Sequence, residues 1–369
     1  MKKITLLIIF LVSYSHTFSQ IEVTPQELSR KLSPQELKLL YLIKTDKLKR
    51  DEFSRDKNFN NYIENSKLDD IFKAAFLKKI ILTNKNAKDF VIYGRENRSD
   101  INETHISEVQ KNSLGVFLIV KDTNLIQLND STYKLKTSTL RKDINLCESE
   151  RFVFQPSIKS GQPICTGFAI GKNHILSANH CINGNSFLNE LVFIFDFKEK
   201  EDGSFNTIFK KSQILTPVAR VKYNRSYDYA VVKVKEQIKK ERILKLNLTD
   251  KVKNSQSVYT IGHPYGLPVK IADSAWVTYN KKEKFFYTNL DTFRGNSGSP
   301  VFNSDTNLVE GILKAGNKDF KLSNGCLIVN SCLETGCTSE CRGDQCYGEK
   351  VSRISEFKNK LLPFISDEE

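Results

Sequence analysis

From Phe90 onward the chain carries short runs of β-branched and aromatic residues separated by turn formers. They are Leu114 to Val120, Gly167 to Ile170, Leu191 to Phe195, Ala230 to Val234, Val258 to Ile261, Ala275 to Tyr279 and Val309 to Leu313. Short strands recurring in this way predict an all-β barrel or sandwich. The preceding stretch has a helical period instead. Thr24-Pro25-Gln26-Glu27 and Ser33-Pro34-Gln35-Glu36 each join an N-cap residue, a proline at the first helical position and a glutamate at the third, and the second opens onto Leu37, Leu39, Leu40, Leu42 and Ile43. Ile71, Phe72, Ala75, Phe76 and Ile80 continue at helical spacing. Residues 20–90 therefore read as a small α-helical segment, either a propeptide or a permanent N-terminal module.

The first residues have another character again. Lys2 and Lys3 precede an apolar run from Ile4 to Val12 and a polar stretch ending Thr17-Phe18-Ser19, the pattern of a secretory signal peptide over 1–19. The apolar run is too short for a bilayer span, so the expectation is a protein that is secreted or periplasmic after signal cleavage, with no membrane span. At 369 residues and 39% hydrophobic content the chain can bury a core. A formal charge of +13 raises the question of nucleic acid. Yet Lys198, Lys200, Lys210, Lys211, Lys239 and Lys240 are scattered through loop-like sequence, which describes a solvated surface, and no nucleic-acid motif is present.

Eight cysteines in an exported chain suit disulfides. Cys326, Cys332, Cys337, Cys341 and Cys346 crowd one segment and make an even set with Cys147, their pairing open. A zinc site is the competing reading, but no Cys-x-x-Cys pair and no neighbouring histidine support it, so neither metal nor cofactor is expected.

The chemistry-bearing candidate is Gly295-Asn296-Ser297-Gly298-Ser299-Pro300. A serine flanked by glycines on a tight turn can leave the backbone N–H groups of Gly295 and Ser297 facing a developing oxyanion. Such clusters also make ordinary turns, so the company matters. Upstream, Leu176-Ser177-Ala178-Asn179-His180-Cys181 delivers a histidine through small residues, and Tyr227-Asp228-Tyr229-Ala230-Val231-Val232 leads an aspartate into a strand. Of the other histidines, His16 lies in the signal segment, His105 and His174 have no partner motif, and His263 sits in the turn-like Gly262-His263-Pro264.

In these motifs and their order, His180, Asp228, Ser297, the chain resembles the chymotrypsin-fold, trypsin-like serine peptidases. Val91-Ile92-Tyr93-Gly94-Arg95-Glu96-Asn97-Arg98, Cys165-Thr166-Gly167 and Gly295 to Phe302 are more narrowly similar to the secreted bacterial branch that contains the glutamyl endopeptidases. The resemblance covers residues 91–369. It implies two antiparallel β-barrels, the first over about 91–240 and the second over about 241–351, with a C-terminal helix over about 352–365. It implies Ser297 as nucleophile, His180 as general base, Asp228 as its orienting acid, and a Cys165–Cys181 disulfide beside the histidine. Peptide or protein substrates and a monomeric enzyme follow from the same likeness.

Specificity is less determined. Asp291, six residues before Ser297, matches the pocket acid of trypsin-like enzymes and favours a basic substrate side chain. Thr292 matches a position glutamyl endopeptidases use, but Leu313 stands where their pocket histidine would be, and Arg294 marks the lip of the cleft. Asn296 replaces the aspartate that pairs with a new N-terminal ammonium in trypsin. A mature terminus near Val91 would then act through packing or pocket shape. Two alternatives remain open: a catalytically silent binding protein on the same fold, and an esterase using the same three residues.

Overall fold

The computed structural model describes residues 92–93, 96–161, 163–182, 184–330, 332 and 348–365. The signal segment expected over 1–19, the helices expected over 20–90, and Cys337, Cys341 and Cys346 lie outside the described residues. Within them the chain is mostly β, with a closed six-stranded barrel, a half-barrel and a short C-terminal helix, consistent with the chymotrypsin fold.

The strands of the half-barrel are β2 (Val116–Lys121), β3 (Cys165–Gly171), β4 (His174–Ala178), β5 (Leu191–Phe195), β6 (Ile214–Leu215), β7 (Pro217–Asn224) and β8 (Tyr229–Val234), ordered β6-β5-β2-β3-β4-β8-β7 with antiparallel neighbours. The closed barrel is built from β9 (Ser257–Gly262), β10 (Lys270–Tyr279), β11 (Phe285–Thr288), β12 (Pro300–Asn303), β13 (Val309–Ala315) and β14 (Glu349–Arg353), in the order β10-β9-β12-β13-β14-β11. A β10–β11 pairing completes the ring. β1 (Arg98–Asp100) pairs with β10, Asp100 standing opposite Lys270. Residues 98–100 thus extend the second barrel, although their place in the sequence predicts the first. The reason is an ion pair: Lys270 Nζ meets Asp100 Oδ1 with both side chains buried, so the two charges compensate each other away from water.

The period of two along each strand sorts side chains between two cores. In β8, Ala230, Val232 and Val234 join Phe117, Ile119 and Ile175 inside the first barrel. Tyr229 and Val231 turn the other way and pack with Ile261, Phe302 and Ile312 of the second barrel. The C-terminal turns seal this shared core through Ile354, Phe357 and Leu361, the Phe357 ring stacking on Tyr229 at 4.2 Å. The C-terminal helix expected over 352–365 is shorter than that: β14 runs to Arg353, one α-turn spans Lys358–Leu361, and single 3-10 turns flank it at Ile354–Glu356 and Leu362–Phe364. Pro363 caps its extent, since proline cannot donate to a continuing helix.

All seven hydrophobic runs of the sequence are strands. The strand β4 was hidden because Ser177 and Ala178 carry little β signal, yet both are fully buried. Small size is what their position requires, as the site shows.

Candidate functional site

His180 sits on a 3-10 turn, Asn179–Ile182, that follows β4 without a gap. Asp228 directly precedes β8, which pairs antiparallel with β4 so that Tyr229 lies opposite Ala178. The Asn179 N–H donates to the Asp228 carbonyl at 3.0 Å and so extends the ladder by one step. That register brings the carboxylate to the imidazole. Asp228 Oδ1 accepts the His180 backbone N–H at 3.0 Å, and Oδ2 lies 2.8 Å from His180 Nδ1. Asp228 is 6% exposed and left-handed at φ 57°, a conformation aspartate tolerates better than most residues. A buried carboxylate in this place fixes one ring nitrogen as its donor and leaves Nε2 for other work.

Ser297 lies on the turn entering β12. The turn is clamped to the first barrel: the Thr166 N–H donates to the Ser297 carbonyl at 2.9 Å, and Thr166 Oγ1 donates to the Gly295 carbonyl at 2.8 Å. Gly298, at φ 91°, has no room for a Cβ against the Thr166 carbonyl and Ser177 Oγ. Gly298 and the small residues of β4 thus answer one constraint, close approach of the two barrels at the serine.

Backbone donors around Ser297 divide cleanly. The Arg294 N–H goes to Asp319 Oδ2 at 3.0 Å, Asn296 to the Phe293 carbonyl at 3.0 Å, Gly298 to the Leu313 carbonyl at 2.8 Å and Ser299 to the Asn296 carbonyl at 2.8 Å. Among the described residues, the Gly295 and Ser297 N–H groups have no protein acceptor. These are the two amides the sequence singled out. They border a cleft of about 390 Å³ that His180, Ser297, Arg294 and Gly295 share with the Cys165 and Cys181 sulfurs and with Phe187 and Leu191. The His180 and Ser297 side chains make no direct hydrogen bond among the described residues, as is common before a substrate is bound.

Cys165 and Cys181 are joined, S–S 1.95 Å. Donor atoms of Cys165, His180 and Cys181 lie within 4.8 Å of one another, but both sulfurs are committed to the disulfide, so no thiolate is left to hold a metal. Cys147 pairs with Cys326, and Cys332 is also disulfide-bonded.

Of the four residues expected to line a specificity pocket, Arg294 borders the cleft as the sequence suggested, and Asp291, Thr292 and Leu313 have their side chains engaged elsewhere. Asp291 is 1% exposed, and both of its oxygens are taken by backbone: Oδ1 by the Tyr93 N–H at 2.8 Å and Oδ2 by the Asn97 N–H at 2.7 Å. It anchors the segment ahead of β1, and burial, reinforced by the nearby Glu96 charge, raises its pKa well above the carboxylate range. Arg98 stacks on Phe293 at 3.6 Å and pairs with Glu96, so the same segment braces the loop leading to Ser297. Leu313 packs its side chain into the second-barrel core and serves the site through its backbone. Thr292 is buried and donates to Glu349. Arg294 alone of the four borders the open cleft. Asn296 is buried and carries no ionic partner. His263 is buried too, with Nδ1 3.0 Å from the Leu267 carbonyl, and burial draws its pKa down to about 4, consistent with the structural role expected of it.

Residues 165–312 match the trypsin-like peptidase domain family. The match spans the Cys165–Cys181 bridge, His180, Asp228 and Ser297, and with the fold it supports a serine protease and hydrolase. Solved structures similar to the chain include the Rv3671c protease from M. tuberculosis in its active form, at 14% identity over 70% of this chain and 84% of that one. The inactive form of Rv3671c is 12% identical over 70% and 91%, and a serine endoprotease from Yersinia pestis 15% identical over 72% and 66%. Each has a TM-score of 0.40. Among the described residues, no helix is long and apolar enough to cross a membrane.

Proposed function

We propose that the chain is an exported serine endopeptidase. Ser297 Oγ attacks a peptide carbonyl while His180 Nε2 takes its proton. The carbonyl oxygen becomes an oxyanion held by the Gly295 and Ser297 N–H groups, and the C–N bond then breaks as His180 returns the proton to the leaving amine. Water, deprotonated by the same imidazole, releases the acid product and restores the hydroxyl. Asp228 keeps the ring oriented and offsets its positive charge. No metal or cofactor enters these steps.

The observation that carries the reading is the pair of unclaimed amides at Gly295 and Ser297, on a turn whose other backbone donors are all engaged. A silent binding protein has no use for such a pair, so the catalytic reading is the better supported. An ester substrate would be handled by the same groups, and peptide turnover separates the two enzymes. Export rests on the segment 1–19 and on disulfides of the kind favoured outside the reducing cytosol. A glutamate preference is not carried forward, since Leu313 offers the cleft no polar group.

The test is turnover of a mixed peptide library by the secreted protein beside Ser297→Ala, with a fluorophosphonate label for the nucleophile. Cleavage and labelling of the parent alone are expected. Equal, negligible turnover by both proteins would remove the enzyme reading. N-terminal sequencing of the same material bears on residues 20–90: a start near Val91 marks them as a propeptide, a start at Gln20 or Ile21 as a retained module.

A further inference from the structure

Arg294 is gripped on both sides of its Cα. Its N–H donates to Asp319 Oδ2 at 3.0 Å, and its carbonyl accepts the Tyr265 N–H. Because each peptide unit is planar, the first bond fixes the 293–294 plane and the second the 294–295 plane, which together set both backbone torsions of Arg294. The 294–295 plane is the one that carries the Gly295 N–H. Gly295, at φ 100°, offers little resistance of its own to rotation of that plane, since glycine populates both signs of φ. The restraint comes from outside the turn.

Asp319 is well placed to supply it. Its carbonyl accepts the Asn330 N–H at 2.9 Å, and it leads into a hairpin in which Phe320–Ser323 pairs with Cys326–Val329. The Cys147–Cys326 disulfide ties the return strand of that hairpin down. Phe320 lies 5.0 Å from Phe293 and 4.9 Å from Tyr265, ring centroid to ring centroid. These are the residue before Arg294 and the donor to its carbonyl, so the hairpin braces the same grip by packing that Asp319 closes by a hydrogen bond. Arg294 is exposed, and water would serve its N–H as acceptor. A carboxylate is not needed there for solvation, and burial, by raising the Asp319 pKa to about 7, makes its charged form costly to keep.

We propose that Asp319 is a positioning residue for the oxyanion site, holding Arg294 so that the Gly295 N–H stays aimed at the substrate carbonyl oxygen. The proposal rests on the serine peptidase reading above. Asp319 is not among the residues lining the cleft, and it acts only through the backbone of residue 294. Without it the 293–294 plane is free to swing, and the Gly295 N–H spends part of its time off the oxyanion. Substrate binding does not need a full negative charge on that oxygen but the transition state does, so the loss falls on the chemical step. Asparagine keeps an oxygen for the Arg294 N–H and alanine does not.

The experiment uses the full-length secreted protein with its Asp319→Ala and Asp319→Asn variants, one peptide substrate, and a peptide aldehyde of the same sequence, whose adduct with Ser297 places an oxygen in the oxyanion site. Fluorophosphonate labelling of the parent first tests the underlying reading. In Asp319→Ala, kcat should fall about 10-fold, short of the roughly 10²–10³ lost with a whole donor, while KM stays within about twofold. Affinity for the aldehyde should fall in step with kcat, and Asp319→Asn should restore both. Thermal melts show that each variant is folded at the assay temperature. A labelled parent whose Asp319→Ala variant keeps its kcat and aldehyde affinity, or whose Asp319→Asn variant is as impaired as Asp319→Ala, overturns the proposal and leaves the peptidase standing. An unlabelled, inactive parent removes both.

Discussion

The Tyr265 N–H donates to the Arg294 carbonyl at 2.5 Å. In a trans peptide the C=O and the following N–H point in opposite directions, so this bond turns the Gly295 N–H away from Tyr265 and leaves it free for the cleft that Gly295 lines. Gly295 is held at φ 100°, and a Cβ there would lie 2.5 Å from the His263 carbonyl. Gly295→Ala should force the 294–295 peptide to rotate. We expect kcat to fall by roughly 10²–10³, the value of one oxyanion donor, with KM little changed. Thermal unfolding should show a loss of about 1–3 kcal/mol from the strained φ.

The double grip of Asp228 on His180 gives a second expectation. Asp228→Asn keeps the shape but offers an amide, which either donates to Nδ1 or leaves it unpaired, so Nε2 is no longer a free base near neutral pH. Turnover should fall by about 10³–10⁴, and combining this change with Ser297→Ala should cost little beyond Ser297→Ala alone. Multiplicative losses in the double variant would show that the two residues do not work as a unit.

The Cys165–Cys181 bridge closes a loop of sequence separation 16 that contains β4 and the His180 turn. Replacing both cysteines by alanine should cost about 3 kcal/mol on chain-entropy grounds. Because the bridge lines the cleft, peptide turnover should fall more steeply with temperature than in the parent. Urea unfolding and turnover between 20 and 40 °C, taken together, check both parts.

Legibility from sequence followed how local the information was. His180, Asp228 and Ser297 were visible because each stands in a short motif, and the strands that deliver them announce themselves by β-branched runs. What could not be read were relationships that only pairing creates. Asp291 looked like a pocket acid by its offset from Ser297, but β1 crosses to the second barrel and brings Tyr93 and Asn97 onto it. Glu349 follows a cysteine-rich stretch and carries no motif, and only the fold sets it opposite Thr288 and against Thr292. Thr166 entered the sequence reading only as the middle of Cys165-Thr166-Gly167, and only the fold shows it stitching Ser297, Gly295 and His263 together.

The buried Lys270–Asp100 pair tests how β1 is held. Gln155 Nε2 also donates to Asp100 Oδ2 at 2.9 Å, and burial lowers the Lys270 pKa to about 8 despite the Asp100 charge. Asp100→Ala removes the countercharge and leaves an ammonium inside the protein, which should destabilise the fold by about 3–5 kcal/mol. Asp100→Ala combined with Lys270→Met should recover much of that loss in chemical denaturation, since an apolar side chain needs no partner. A double variant no more stable than Asp100→Ala would mean that β1 is held by something other than this pair.

Asp319 supplies a pH dependence with a definite sign. It is partly buried and accepts the Arg294 N–H, and desolvation raises its pKa from 3.8 to about 7. The folded state therefore holds a proton that the unfolded chain has already released between pH 4 and 7. Over that window the folded state binds more protons, so the Asp319 contribution to stability declines as pH rises, and above 7 the decline stops. Asp319→Asn cannot ionise and escapes this loss. Relative to the parent, the variant should gain about 1 kcal/mol between pH 5 and pH 8, the full shift being reduced by solvent screening at a partly exposed site. Urea midpoints of both proteins at the two pH values isolate the effect, because every other titrating group cancels in the difference. A gap that stays constant from pH 5 to pH 8 would place the Asp319 pKa back in the ordinary range, and with it the picture of Arg294 held by an acid that is protonated below neutral pH.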